Sequence, residues 1–236
     1  MTRTLQSTLV IAALCLPVHA LAAPIFFDFG DGARQTAGNY NNISVSTPIS
    51  LSVADAVDAA GASTGIGLTA SGFYNGSNQS GPTVPTGDAA IFDGEATRDN
   101  AFGHAGAFGT NPLTPLALLD ITGLDPAKQY SFVFFGSRIP ASNNRETQFE
   151  VVGANSALAA LNPSNNSSDV ANVLGISPTA AGTLQVKVSP GPNNNSAEQF
   201  YYLGAMRLSV VPEPATFVLL AAGLAGLVTH RRRSGR

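Results

Sequence analysis

The 236-residue sequence has no tryptophan, one cysteine and three histidines, and only 11% of it is charged. Each shortage excludes something. The single Cys15 lies in the apolar N-terminal segment, so the rest of the chain has no thiol for a disulfide or a thiolate metal site. His19 and His230 sit at the two ends, leaving His104 as the one histidine between them. A multi-histidine zinc site is excluded by number, because such sites take several N or S ligands. A Ser-His-Asp triad would have to use His104, and no Gly-x-Ser-x-Gly elbow presents a nucleophile. His104 itself reads as a loop residue within GHAG. Long apolar runs are also missing, and the two short ones lie at the ends.

The N-terminal run, Leu9 to Leu16, follows Arg3 and precedes small residues at Ala20 and Ala22. A basic start, a short apolar core and an Ala-x-Ala site make residues 1–22 a secretory signal peptide with cleavage after Ala22. The run is well short of the roughly 20 residues of a spanning helix.

The C-terminal run from Thr216 to Val228 carries no charge and is followed by Arg231, Arg232 and Arg233. At about 1.5 Å per helical residue it reaches only some 20 Å, against roughly 30 Å of hydrocarbon. Arginines at its far end keep that end in the cytoplasm and leave everything before Pro212 outside. Pro212 and Pro214 remove two amide donors and stiffen the segment just outside the membrane.

The stretch Val211, Pro212, Glu213 and Pro214, then a short hydrophobic helix over 216–229 and an Arg-rich end, resembles the PEP-CTERM sorting signal. In that family the signal is recognised by an exosortase, a membrane-embedded cysteine transpeptidase-like enzyme of bacteria that make exopolysaccharide. The resemblance implies that Pro212, Glu213 and Pro214 form the sorting and processing motif and Arg231, Arg232 and Arg233 the cytoplasmic anchor. Exosortase and the membrane are the implied partners during sorting, and cell surface or extracellular matrix the final location.

Between the ends, residues 23–210 carry seven basic and fourteen acidic residues, net minus seven. That balance argues against nucleic acid or an anionic bilayer as a partner, which require clustered Lys and Arg. A neutral glycan or a cation fits better. No internal repeat or linker divides this region, which reads as one domain. Short apolar stretches bounded by Gly, Pro, Asn or Asp recur at IFFDF (25), NISVS (42), ISLSV (49), IGLTA (66), LALLDI (116), YSFVFFGSR (130), TQFEVVG (147), TLQVKVS (183) and YYLGAMRLSV (201). They predict an all-β sandwich. Alternation in TLQVKV gives one wet face, whereas YSFVFF is apolar on both faces and predicts a strand covered on both sides. NSALAAL at 155–161 is expected to form one short helix.

FDFGDG at 27–32 with GNYNNI at 38–43, TGLDPAKQYSFVFF, and the closing FYYLGAMRL at 200–208 resemble strands of a galactose-binding-like jelly roll. Such domains occur in carbohydrate-binding modules and beside some esterases. The resemblance implies a single jelly-roll-like β-sandwich and hints at sugar binding, but fold analogy does not settle function.

The chemistry on offer is sparse. Asp88, Asp93, Glu95 and Asp99 fall within GDAAIFDGEATRDN, a segment rich in hard oxygen ligands, and form the candidate for a structural calcium; no other cofactor is implied. The segment lacks the alternating Asp pattern of an EF-hand. Two carboxylates near Asp93 could alternatively act as the acid and base of an exported carbohydrate-active hydrolase. Sugar faces stack on rings while hydroxyls need amide and carboxylate partners. Tyr40 with Asn42, and Phe73 and Tyr74 with Asn75, are therefore the glycan-binding candidates, Phe73 being alternatively a core ring. Asn-rich loops such as NPSNNSSD and GPNNNSAE read as flexible polar turns. The expectation is thus an exported, non-enzymatic β-sandwich that is structural or binds polysaccharide, sorted through its C-terminus.

Overall fold

The computed structural model describes residues 22–212. Most of the signal segment, together with Glu213, Pro214, the helix expected over 216–229 and Arg231, Arg232 and Arg233, lies outside the described residues. Among the described residues no helix is long and apolar enough to cross a membrane.

Fourteen strands and two short helices follow in order: β1 (Ile25–Gly30), β2 (Tyr40–Ser44), β3 (Ser52–Val53), β4 (Gly67–Ser71), β5 (Ser77–Asn78), a 3-10 turn (Gly87–Ile91), α1 (Gly94–Thr97), β6 (Asn100–His104), β7 (Ala117–Thr122), β8 (Tyr130–Phe135), β9 (Thr147–Val152), β10 (Ser156–Leu161), β11 (Ala171–Ile176), β12 (Leu184–Pro190), β13 (Phe200–Leu203) and β14 (Ala205–Val210). They build a five-stranded sheet, β11-β8-β14-β1-β2, and a six-stranded sheet, β10-β9-β12-β7-β4-β3, with a three-stranded β13-β6-β5 sheet beside them. The result is an all-β sandwich.

The core forms because alternate residues of facing strands point inward. Phe27 and Phe29 of β1, Phe132 and Phe134 of β8, and Leu119, Ile121, Phe149, Val151, Val186 and Val188 of the other sheet are fully or almost fully buried in one cluster. Phe134 and Phe149 stack across the sandwich with centroids 4.5 Å apart and planes 2° from parallel. Each such ring contributes about 1.5–3 kcal/mol by leaving water.

The two strands with a readable face pattern behave as expected. Leu184, Val186 and Val188 are buried while Gln185 and Lys187 stay partly exposed. In β8 the opposite face is also covered: Val133 and Phe135 pack with Ala89, Phe92, Ala96 and Ala205 under the segment carrying the 3-10 turn and α1. The first and last strands pair, Ile25 to Asp28 of β1 running antiparallel to Leu208 to Ala205 of β14. Departing from simple antiparallel order, β2 runs parallel to β1.

Three expectations are corrected. Residues 156–161 form β10, not a helix, because all six pair in register with β9. Ladder pairing outweighs the helix propensity of Ala and Leu, a weak prior of a few tenths of a kcal/mol per residue. The stretch 201–210 is two strands: β13 pairs with β6 and β14 with β8 and β1. The break falls at Gly204, which donates to Phe135 O and accepts from Phe29 N, and where a Cβ would crowd Asn100 Oδ1 at 2.7 Å. His104 is the last residue of β6 and is fully buried.

Candidate functional site

The outer face of the five-stranded sheet presents Phe26 and Asp28 from β1 and Tyr40 and Asn42 from β2. Their β1 neighbours Phe27 and Phe29 belong to the inner core. The 31–37 loop and the segment 87–99 close over this face. At its rim Phe26, Ala37, Asn39, Tyr40, Ala59, Ala90, Ile91, Phe92 and Asp93 line an open cleft of about 440 Å³. The Phe26 and Tyr40 rings are 5.4 Å apart and Phe92 meets Phe26 edge-on at 6.1 Å, so the floor is aromatic. The Tyr40 hydroxyl accepts the Asp93 main-chain N–H at 2.8 Å, which ties the floor to the covering segment. Burial pushes the Tyr40 phenol up, against the lowering effect of that hydrogen bond.

Asn42 spends its amide on the main chain. It accepts from Thr36 N at 2.9 Å and donates to Thr36 O and Tyr40 O, fixing the β1–β2 loop. Phe73, Tyr74 and Asn75 are brought together elsewhere, along a smaller apolar cleft of about 110 Å³ with Val45, Ile49 and Leu51. Phe73 leans on the buried Tyr201 at 6.4 Å, and Tyr74 joins an aromatic cluster with Phe102 and Phe108 at 4.9 and 5.8 Å. The glycan candidates thus divide between two clefts, and Tyr40 alone lines the larger one.

The four carboxylates proposed for calcium do not gather. Asp88 is exposed in the 3-10 turn. Asp93 caps α1, accepting from Glu95 N at 2.8 Å. Glu95 faces Arg98 at 3.9 Å. Asp99 turns inward and is 1% exposed. Among the described residues no three Asp, Glu, His or Cys side chains are arranged to hold a metal ion. Asp93 spends one oxygen on that cap and stays exposed, and Glu95 is partly exposed beside Arg98.

What the sequence did not single out is the pairing of Asp99 with Asp28. Asp28 Oδ2 accepts both the N–H and the hydroxyl of Thr36, at 3.0 and 2.8 Å, while its Oδ1 is buried without a partner. Burial pushes the Asp28 carboxyl up to about 7, with Asp99 raising it further and Thr36 and Arg98 opposing. Asp99 is raised to about 6, again chiefly by burial. Only its place within FDFGDG marked Asp28 in the sequence.

His104 is a core residue. Its Nδ1 lies 2.9 Å from Gly106 O and therefore carries the proton, and its Nε2 is enclosed by Tyr74, Phe108 and Phe200 without a partner.

Residues 210–233 match the PEP-CTERM protein-sorting motif. The chain therefore carries an exosortase sorting signal, the mark of an exported, transiently membrane-anchored protein, and that signal begins where β14 ends at Val210. No curated protein matches the chain. Among solved structures it is similar to TmCBM61 in complex with β-1,4-galactotriose, at 10% identity and TM-score 0.31, covering 48% of this chain and 72% of that one. It is also similar to the exo-β-1,3-galactanase of Phanerochaete chrysosporium with galactose, at 15% identity and TM-score 0.27, covering 47% of this chain. That match spans 23% of the galactanase's length. A third, the Stig cyclase Fisc from Fischerella sp. TAU, has 15% identity and TM-score 0.29 over 64% of this chain and 77% of its own. At these TM-scores the likenesses carry no argument about function, and the β-sandwich assignment rests on the strand pairing itself.

Proposed function

We propose that the chain is released by exosortase processing near Pro212 to Pro214 into the cell surface or exopolysaccharide matrix, where its sandwich acts as a non-enzymatic glycan-binding module. The observation that carries the sorting half is the sorting motif following directly on the last strand, so that cutting there frees an intact fold. Support for the binding half is the open aromatic cleft, whose Phe26 and Tyr40 rings suit a sugar face and whose Asn39 and Asp93 suit hydroxyls.

A chain truncated after Val211 should still fold but fail to reach its normal location, tested by fractionating producing cells. Unchanged location would overturn the sorting reading. Retention on neutral polysaccharide in affinity electrophoresis, lost in Tyr40→Ala, tests the binding reading, and hydrolysis of the polymer during the run would replace it with an enzymatic one.

A further inference from the structure

The basic residues of the net-acidic domain are few, and three of them are used in ion pairs: Arg98 with Glu95, Lys128 with Asp125, and Lys187 with Glu150. Arg138 and Arg145 make no ion pair among the described residues, although both stand on the same loop between β8 and β9. Arg145 donates from Nε to Asn143 Oδ1 at 2.9 Å and from Nη1 to the Tyr202 hydroxyl, with its guanidinium 5.1 Å over the Phe200 ring. Arg138, held by its Nη1 donating to Ile139 O at 3.1 Å, stands on the same side: burial pushes the Tyr202 phenol up, while Arg145 and Arg138 both act to lower it. The remaining guanidinium hydrogens of Arg145 have no protein acceptor among the described residues.

The loop that carries them is held from both sides. Arg138 N donates to Pro163 O and Arg138 O accepts from Asn165 N, at 2.8 and 3.0 Å. Arg145 N donates to Asn162 Oδ1 and Ser164 Oγ. On the other flank Asn144 N donates to Asn195 Oδ1 at 2.8 Å and Asn195 N to Asn144 O at 2.9 Å. The nearest carboxylate in sequence, Glu146, is taken by Asn193 N and Nδ2, each at 3.0 Å, so it does not neutralise Arg145. The Asn-rich loops read as flexible turns are in fact a clamp, and what they hold still is a pair of unneutralised guanidinium groups. Such pre-ordering lowers the entropy that a ligand must overcome.

We propose that Arg138 and Arg145 form a carboxylate-binding fork that takes a uronate residue of an acidic polysaccharide, with the side chains around Tyr202 as its floor. A planar guanidinium matches a planar carboxylate through paired N–H donors, better than it matches a point charge. The net charge of minus seven over residues 23–210 opposes general attraction of polyanions, so recognition is local to one or two sugar units. This deepens the glycan-binding reading and rests on it, but uses a different surface from the Tyr40 cleft.

The test is calorimetric titration of the full-length chain with trigalacturonate, its uncharged counterpart galactotriose, and sodium sulfate. Trigalacturonate should bind more tightly than sulfate, and Arg145→Gln should weaken it about tenfold or more. Arg138→Gln, which removes no ring contact, should do the same at an unchanged melting temperature, keeping the test independent of folding. Binding unaffected by either substitution, or sulfate binding as tightly as trigalacturonate, overturns the proposal. If trigalacturonate fails while galactotriose binds and is lost in Tyr40→Ala, only the fork is wrong; if neither sugar binds, the glycan reading falls with it.

Discussion

Asp99 Oδ2 accepts the main-chain N–H of Asp31 at 2.6 Å, and a Cβ on the intervening Gly30 would overlap the same carboxylate. The contact joins the segment before β6 to the end of β1 beneath the cover of the outer face. It also places a second carboxyl near Asp28, with Arg98, Arg34, Asp31 and Tyr40 as the other charged or titratable groups around the pair.

Because Asp28 is raised to about 7 and Asp99 to about 6 from 3.8, the folded protein binds their protons more tightly than the unfolded chain does. Their contribution to stability is complete below about pH 4 and is lost as pH climbs through 6 and 7. Asp28→Asn keeps an acceptor for Thr36 and removes the buried charge. It should raise stability at pH 8 by on the order of 2 kcal/mol and change little at pH 4. Urea unfolding at the two pH values measures this, and equal effects at both would show that Asp28 is not protonated more readily in the fold.

The Tyr40 ring, rather than its hydroxyl, is expected to carry sugar contact in the larger cleft. Tyr40→Phe should keep binding of a neutral polysaccharide within about threefold, while Tyr40→Ala should weaken it about tenfold, roughly 1.4 kcal/mol. Affinity electrophoresis on graded polymer concentrations reads both. If the two variants behave alike, the ring is not the platform.

Phe134 and Phe149 join the two sheets through one parallel stack. Phe134→Ala leaves a void in a fully buried site and should cost about 3–5 kcal/mol, seen as a lower urea midpoint. Phe134→Leu should cost clearly less. A loss below about 1 kcal/mol for the alanine variant would mean that the sheets do not pack through this pair.

Tyr201 is fully buried and donates its hydroxyl to Thr114 O at 2.7 Å. Tyr201→Phe leaves that carbonyl without its partner and should cost about 1–3 kcal/mol in the same urea assay. No change would indicate that the carbonyl finds water.

The sandwich was legible wherever strands carried β-branched or aromatic residues with a clear period. β1, β4, β7, β8, β9 and β12 all fall on apolar runs read from the chain. Illegible were elements formed by pairing alone. NAFGH in β6 becomes a strand because FYYL of β13 lies beside it, and SALAAL in β10 because β9 does. The strand ANVLGI at β11 hides a register shift at Gly175, whose positive φ of 71° suits glycine. At the candidate sites, residue type was readable and partnership was not. Asn42 looked free and is bound to the Thr36 backbone, while Arg138 and Arg145 look ordinary until the loops are folded around them.

The central claim is that the C-terminal motif is a processing signal that frees the sandwich on the far side of the membrane. Intact-mass measurement of the protein recovered outside the cells tests it most directly. The account predicts a chain beginning near Ala23, ending close to Pro212, Glu213 and Pro214, and lacking Arg231, Arg232 and Arg233. An extracellular product that retains those arginines would contradict it.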